Sequence, residues 1–149
     1  MGIVERIFVA PERGSPMVEL REVAAATAGG LAGDRYADPT VRRSPKQEIT
    51  LIEAEHIEAF ATATGLAMGP AMPRRNVVTR DVRLNEMVGR RFRVGAVLLE
   101  GIELCEPCRL FAARTHKEAL PFFAGKGGLR ATIIAGGVLA VGYAVREDA

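Results

Sequence analysis

The chain of 149 residues contains no tryptophan, only two tyrosines, two histidines and two cysteines, and just three lysines among its 20 basic residues. The scarcity of thiols and imidazoles bears first on metals. A structural zinc site takes four ligands, commonly two Cys pairs or one Cys pair with two His. Here the single pair, Cys105 and Cys108, would have to recruit His56 and His116, which lie far apart in sequence. The scarcity of aromatics weighs against a reader of single-stranded RNA, which stacks bases on aromatic rings interleaved with basic residues; nucleic acid is therefore not the expected partner. No apolar run approaches the roughly 18–20 residues of a membrane-spanning helix, so no membrane contact is expected. The opening GIVERIFVAP reads as a strand, without the charged, apolar and cleavage regions of a secretory signal. Two cysteines and no such signal lead to the expectation of a cytoplasmic protein with free or metal-bound thiols.

With 48% apolar and 26% charged residues, the chain has the composition of a soluble globular protein, and 1–149 reads as one domain. Seventeen of the 20 basic residues are Arg. Arginine suits planar, bidentate contact with phosphate or carboxylate; a GC-rich genome gives the same skew.

Short β-like runs recur between turn signals, the pattern of an all-β sandwich or barrel. IVERIFVA, MVELREVAAA, QEITLI, RNVVTR and the run from Phe92 to Leu104, interrupted by Gly95 and Gly101, are read as strands. The closing LRATIIAGGVLAVGYAV reads as two apolar runs joined through Gly136-Gly137, a hairpin signal. One segment differs. Thr50-x-x-Glu53 fits a capping box, the following residues favour helix and Gly65 supplies a stop, which predicts a helix over 52–64. A second match, Thr115-x-x-Glu118, predicts a weaker helix that Pro121 shortens or bends. The coarse expectation is a β-barrel with one or two attached helices.

The two thiols stand in ELCEPCR, residues 103–109. A dithiol redox motif places its first Cys at a helix N-terminus, whereas this pair follows a long β-like run with no βαβ pattern around it. A nucleophilic or metal-ligating thiolate suits Cys108, which follows Pro107 at an expected strand-to-loop turn beside Arg109, since a neighbouring guanidinium favours the thiolate. Two buried, inert residues form the remaining reading, because free Cys often packs as a small hydrophobe.

GLAGDRYA, the stretch from PRRNVVTRDV through GIELCEPC, and GGLRATIIAGG together resemble the MOSC domain, named for the C-terminal part of molybdenum cofactor sulfurases. The chain is most similar to the short, stand-alone bacterial type. The order and spacing carry the likeness, from the opening strand through Gly29–Tyr36, Glu48–Glu55, Arg75–Thr79 and the CxxC to the final glycine-rich segment. The resemblance implies a mainly β fold, a closed or nearly closed barrel like that of pyruvate kinase, with one or two peripheral helices. It implies a protein that binds molybdenum cofactor (molybdopterin) or carries sulfur as a persulfide. The functional cysteine of the family matches Cys108, which would also be the ligand of molybdenum; Cys105 matches a supporting position. The phosphate of the pterin would be held by Arg75 and Asn76, with Arg74 beside them, by Asp34 and Arg35, and by Arg130. Sulfur transfer, or reduction of N-hydroxylated compounds, is the implied activity on a small-molecule substrate. A cysteine desulfurase or an electron-donating protein is the implied partner. The family is also associated with pyridoxal phosphate, but nothing in these 149 residues reads as the desulfurase domain that holds it, so none is expected in this chain alone. Nor does the chain show the N-terminal barrel of larger MOSC reductases, and VGYAV stands where the family often has Gly-Asp. Two other function classes remain: a non-enzymatic, Arg-rich barrel binding an anion such as RNA, and a small zinc or dithiol redox protein.

Overall fold

Alternation of apolar and polar residues builds the first strand of the computed structural model, which describes residues 2–148. In β1 (Gly2–Val9) the side chains of Val4, Ile7 and Val9 turn inward, and a register shift between Val4 and Arg6 lets the alternation continue across the strand. Nine further strands follow: β2 (Val18–Leu20), β3 (Glu22–Ala25), β4 (Ile49–Glu53), β5 (Val77–Arg80), β6 (Arg91–Val94), β7 (Val97–Leu104), β8 (Leu129–Ala135), β9 (Gly137–Ala140) and β10 (Ala144–Glu147). Seven of them form a ring in the order β1, β10, β6, β7, β8, β4, β5, closed because β10 and β5 both pair with β1. The expected barrel is thus present, and it is closed. β2 lies outside the ring on β1, and β3 with β9 forms a separate two-stranded sheet.

All pairings of the ring are antiparallel except β4 with β5. A parallel pair needs a crossover, and α1 (Ala54–Thr64) provides it. Its buried residues Ala54, Ile57 and Phe60 recur at helical spacing on one face. They pack with Phe8, Ile52 and Val78 on the outside of the barrel, with Phe111 of the short helix α2 (Arg109–Arg114) and with Phe123, which caps the end of α3 (Ala119–Phe122). The barrel interior is a second apolar cluster that includes Ile7, Leu51, Phe92, Leu99, Leu129 and Ile133. Burial of each such side chain contributes about 1.5–3 kcal/mol.

Three local expectations change. The Thr50-x-x-Glu53 match is not a capping box: Thr50 and Glu53 both lie in β4, and Glu53 precedes α1 without a side-chain cap bond. The helix therefore starts at Ala54, though it ends at Gly65 in the left-handed conformation as expected. Thr115 likewise opens no helix; its hydroxyl donates to the Phe111 carbonyl at the end of α2, and α3 is a single turn containing Pro121. The Gly136-Gly137 hairpin is absent, because β8 stays in the barrel while β9 leaves it to pair with β3. Glycine is needed at 136 for a different reason. A Cβ there would meet the carbonyl oxygen of Ala25, since the backbones of the two sheets touch at this crossing.

Gly136→Ala is expected to lower the thermal midpoint by roughly 3–10 °C, because overpacking against backbone costs about 1–3 kcal/mol. Glu53 offers a pH-dependent check. Burial raises its pKa above the ordinary 4.5, opposed by His56 and by the amide of Leu84. A carboxyl with a raised folded pKa stabilises the fold while protonated, and that contribution fades as pH rises from the ordinary value through the raised one. Thermal midpoints of Glu53→Gln, measured across this range, should lack that decline and match or exceed the parent at neutral pH.

Candidate functional site

The segments that leave β1 and β7 and those that enter β4, β5 and β8 meet at one end of the barrel, where they enclose an open cleft of about 240 Å³. Every site residue expected from the sequence lines it: Asp34, Arg35, Arg75, Asn76, Arg130, Cys105 and Cys108. They share the space but do different work.

Asn76 is bound up in the frame. Its Oδ1 accepts from the amide and hydroxyl of Thr50 at 3.0 and 3.2 Å, and its Nδ2 donates to the Phe8 carbonyl at 3.1 Å. These bonds join the starts of β4 and β5 to the end of β1 and leave little of the side chain for a ligand. Asp34 is similar. One oxygen accepts from the Ala10 amide at 2.8 Å and the other from Tyr36 N, capping the turn over 35–37. The turn sets Arg35, whose guanidinium donates to the Tyr36 hydroxyl at 2.8 Å and lies 4.6 Å over that ring.

Arg75 is the centre of the floor. It donates to three carbonyl oxygens, those of Gly127 and Pro73 at 2.9 Å each and of Cys105 at 3.4 Å, and it stacks 5.3 Å over Phe111. Burial lowers its pKa most strongly; the Cys105 sulfur opposes this, Arg130 adds to it, and Cys108 opposes it. Arg130 extends from β8 toward the cleft and shares Glu103 with Lys46, at 3.8 and 3.3 Å respectively.

The two thiols differ. Cys105, one residue past β7, is 2% exposed, whereas Cys108 is exposed at the N-cap of α2. The sequence pattern did not reveal α2, whose six residues RLFAAR are too few for a periodic signal. Residues 105–108 form no turn or bend. Both thiols are free, one buried and the other exposed, and are not joined as a disulfide. The zinc reading fares no better: no cluster of three or more His, Cys, Asp or Glu suited to a metal occurs among the described residues. His56 lies 3.8 Å from Glu53 and His116 bonds the Ala67 carbonyl, both away from the cleft.

Two arginines complete the lining, Arg114 and Arg74. Arg114 carried no sequence signal, because only the fold of α2 brings it to the cleft. Several arginines elsewhere on the barrel face carboxylates: Arg6 with Glu19, Arg80 with Glu5 and Glu58, Arg90 with Glu147, Arg91 with Glu100 and Arg93 with Asp148, all within 2.7–3.3 Å. Others, such as Arg21 and Arg146, have no such partner among the described residues. Arg35, Arg74, Arg75 and Arg114 have no such ion-pair partner among the described residues. The arrangement is suited to an anion supplied from outside the chain, next to an accessible thiol.

Asn76→Ala should destabilise the fold, by about 2–5 kcal/mol, since it leaves the Thr50 amide and the Phe8 carbonyl without partners. Chemical denaturation measures this directly. A loss of ligand affinity at unchanged stability would instead identify Asn76 as a contact residue.

The comparisons with known proteins bear on the fold and the family separately. YuaD from Bacillus subtilis superimposes with a TM-score of 0.82 at 15% identity, covering 97% of this chain and 94% of that one. YiiM from Geobacillus stearothermophilus and YiiM from Escherichia coli give TM-scores of 0.73 and 0.72 at 15% and 18% identity, covering 100% of this chain and 76% and 70% of theirs. At these identities the likeness establishes the shared barrel alone. No curated protein matches the sequence. The family model described as "MOSC domain" matches residues 38–146, a span that holds the crossover helix, the arginines from Arg74 to Arg130 and both thiols, and the chain belongs to the MOSC domain family.

Proposed function

We propose that the cleft receives molybdenum cofactor, or sulfur destined for it, with Cys108 as the reacting thiol. One observation carries this reading: of the only two thiols in the chain, one is buried and the other is exposed at the mouth of a cleft lined by unpaired arginines. The donor set fits the group. A thiolate is a soft ligand suited to a metal held by sulfur or to a sulfane sulfur, and guanidinium groups bind the oxygens of a phosphate. When bound, the cofactor supplies a metal centre that exchanges electron pairs with a substrate.

The residues of the chain have separable tasks. Arg75 holds the Cys105 and Gly127 carbonyls together and so fixes the segment that presents Cys108. Gly127 permits this contact, since a Cβ there would strike the Cys105 carbonyl oxygen. Cys105 fills the space beneath and keeps its sulfur out of solvent. In sulfur transfer, the Cys108 thiolate attacks the outer sulfur of a donor persulfide. A new S–S bond forms at Cys108, the S–S bond of the donor breaks, and the donor leaves as its thiolate. An acceptor nucleophile then takes the terminal sulfur and restores the Cys108 thiolate. The donor class is a cysteine desulfurase. Where the bound cofactor instead serves reduction of an N-hydroxylated compound, the partner is an electron-donating protein. The open cleft leaves Cys108 within reach of either.

The test is elemental analysis for molybdenum and sulfane sulfur on protein purified without oxygen. Cys108→Ser should lose at least 90% of whichever is present while keeping its thermal midpoint, because the exposed hydroxyl replaces the thiol with little change of volume. Cys105→Ser should retain a measurable part. Equal losses would show that the two thiols act as a unit. Loss in neither, or RNA binding with a steep salt dependence that survives Cys108→Ser, would overturn the reading.

A further inference from the structure

The segment that presents Cys108 is short, and its ties converge on one stretch of backbone. Residues 105–108 run without turn or bend from the end of β7 to the start of α2. In extended chain, side chains two apart share a face. The burial follows: Cys105 is buried, while Glu106 and Cys108 are exposed, and both line the cleft. The Cys105 amide donates to the Gly128 carbonyl at 2.7 Å, and Arg75 spans the Cys105 and Gly127 carbonyls. Pro107 lies 3.4 Å from where a Cβ on Gly127 would stand. All of these contacts reach Gly127 or Gly128.

Glu106 extends this seam to Gly125. The Gly125 amide donates to both of its carboxylate oxygens, at 2.9 and 3.2 Å. Glu106 has no ion-pair partner among the described residues, although Arg75, Arg114 and Arg130 line the same cleft. Its carboxylate is spent on a backbone amide instead. Gly125 is left-handed, at φ 73°, a conformation that glycine adopts without strain. Its own carbonyl accepts from Asn85 Nδ2 at 2.8 Å. Asn85 lies in the turn Leu84–Met87 and does not line the cleft. The chain leaves the barrel after β7, forms α2 and α3, and returns through Gly125 to β8. Glu106 and Gly125 thus stand at the neck of this excursion, with Cys108 just inside it.

We propose that Glu106 is a positioning residue for Cys108: through the Gly125 amide it closes the neck of the α2–α3 excursion and holds the thiol toward the cleft. Asn85 secures Gly125 from the other side. The assignment rests on the reading of Cys108 as the reacting thiol, but the closed neck is measurable without that chemistry. A role through position needs only an acceptor oxygen, whereas a role through charge or proton transfer needs the carboxylate. Glutamine supplies the oxygen without the charge.

The experiment compares Glu106→Gln, Glu106→Ala and Asn85→Ala in the whole protein, purified without oxygen. Amide exchange is read by NMR at Cys105 and Ala112, which donate to the carbonyls of Gly128 and Cys108. Glu106→Ala should speed both at least fivefold and leave the β1 amides unchanged, while Glu106→Gln should stay within twofold of the parent. Molybdenum or sulfane sulfur, whichever the parent holds, should fall at least fivefold in Glu106→Ala and stay within twofold in Glu106→Gln. Asn85→Ala should lower it at least twofold from outside the cleft. Adding Asn85→Ala to Glu106→Ala should lower it no further, because both act on one residue. Thermal midpoints within roughly 3 °C of the parent exclude loss by unfolding. Should Glu106→Ala not fold, Asn85→Ala, which replaces an exposed side chain, carries the same comparison. Equal losses in the Gln and Ala variants would assign Glu106 a charge or proton role and overturn positioning. Unchanged exchange in Glu106→Ala, or parent content in Asn85→Ala, would overturn it as well. A parent that holds neither element sinks the proposed function alone, and the exchange at Cys105 and Ala112 then decides whether Glu106 closes the neck.

Discussion

The Arg75 guanidinium holds three separate stretches of chain by their carbonyl groups: the approach to β5, the exit from β7 and the entry to β8. Hydrogen bonds from a charged donor contribute about 1.5–3 kcal/mol each, and this one side chain supplies three where irregular backbone would otherwise leave acceptors unpaired. Phe111 lies beneath it, so the same group also seats α2 and with it Cys108. The floor of the cleft, the presentation of the thiol and the position of the wall that bears Arg114 all follow from where Arg75 is held. Arginine suits this position because its fork of donors stays charged when buried.

Outside the cleft, Arg6, Arg80, Arg90, Arg91 and Arg93 meet carboxylates; exposed pairs of that kind add little stability, about 0–1 kcal/mol each. In the cleft Arg130 shares Glu103, but Arg35, Arg74, Arg75 and Arg114 have no carboxylate partner among the described residues, and repulsion among them is left standing. The near-zero overall charge therefore conceals a strongly positive cleft. A preorganised cluster of this sort attracts an anionic ligand at a distance and loses that advantage as salt rises.

Much of the barrel was legible because its strands alternate or run apolar between glycine and proline turns, as in β1, β4 and β7. The failures have physical causes. Thr50 and Glu53 match a capping box in letters, yet the Thr50 amide and hydroxyl are satisfied by Asn76, 26 residues away, and β pairing wins. The Gly-Gly pair marks a close approach of two backbones instead of a tight turn, a distinction that depends on which sheet receives β9. The family resemblance identified the residues of the cleft but not their division of labour. Asn76 and Asp34 lie in the cleft and are spent on the frame, while Arg114 is available but unremarkable in sequence, since only the packing of a six-residue helix brings it there.

Closure of the ring between β1 and β10 has a consequence for how the chain folds. β2 covers the far end of one β1 edge, but Gly2 and Ile3 on that edge find their partners only in Val145 and Ala144 of β10, at the other end of the sequence. Until then the sheet has two open edges, each able to template pairing with another chain. Pairings between such distant segments form slowly, because the entropy of closing a long loop precedes any gain. The α1 crossover offsets this: β4, α1 and β5 are contiguous and can assemble early as a unit with their own apolar contacts. The floor of the cleft needs β1, β4, β5, β7 and β8 together, so it takes shape only after strands far apart in the sequence have met.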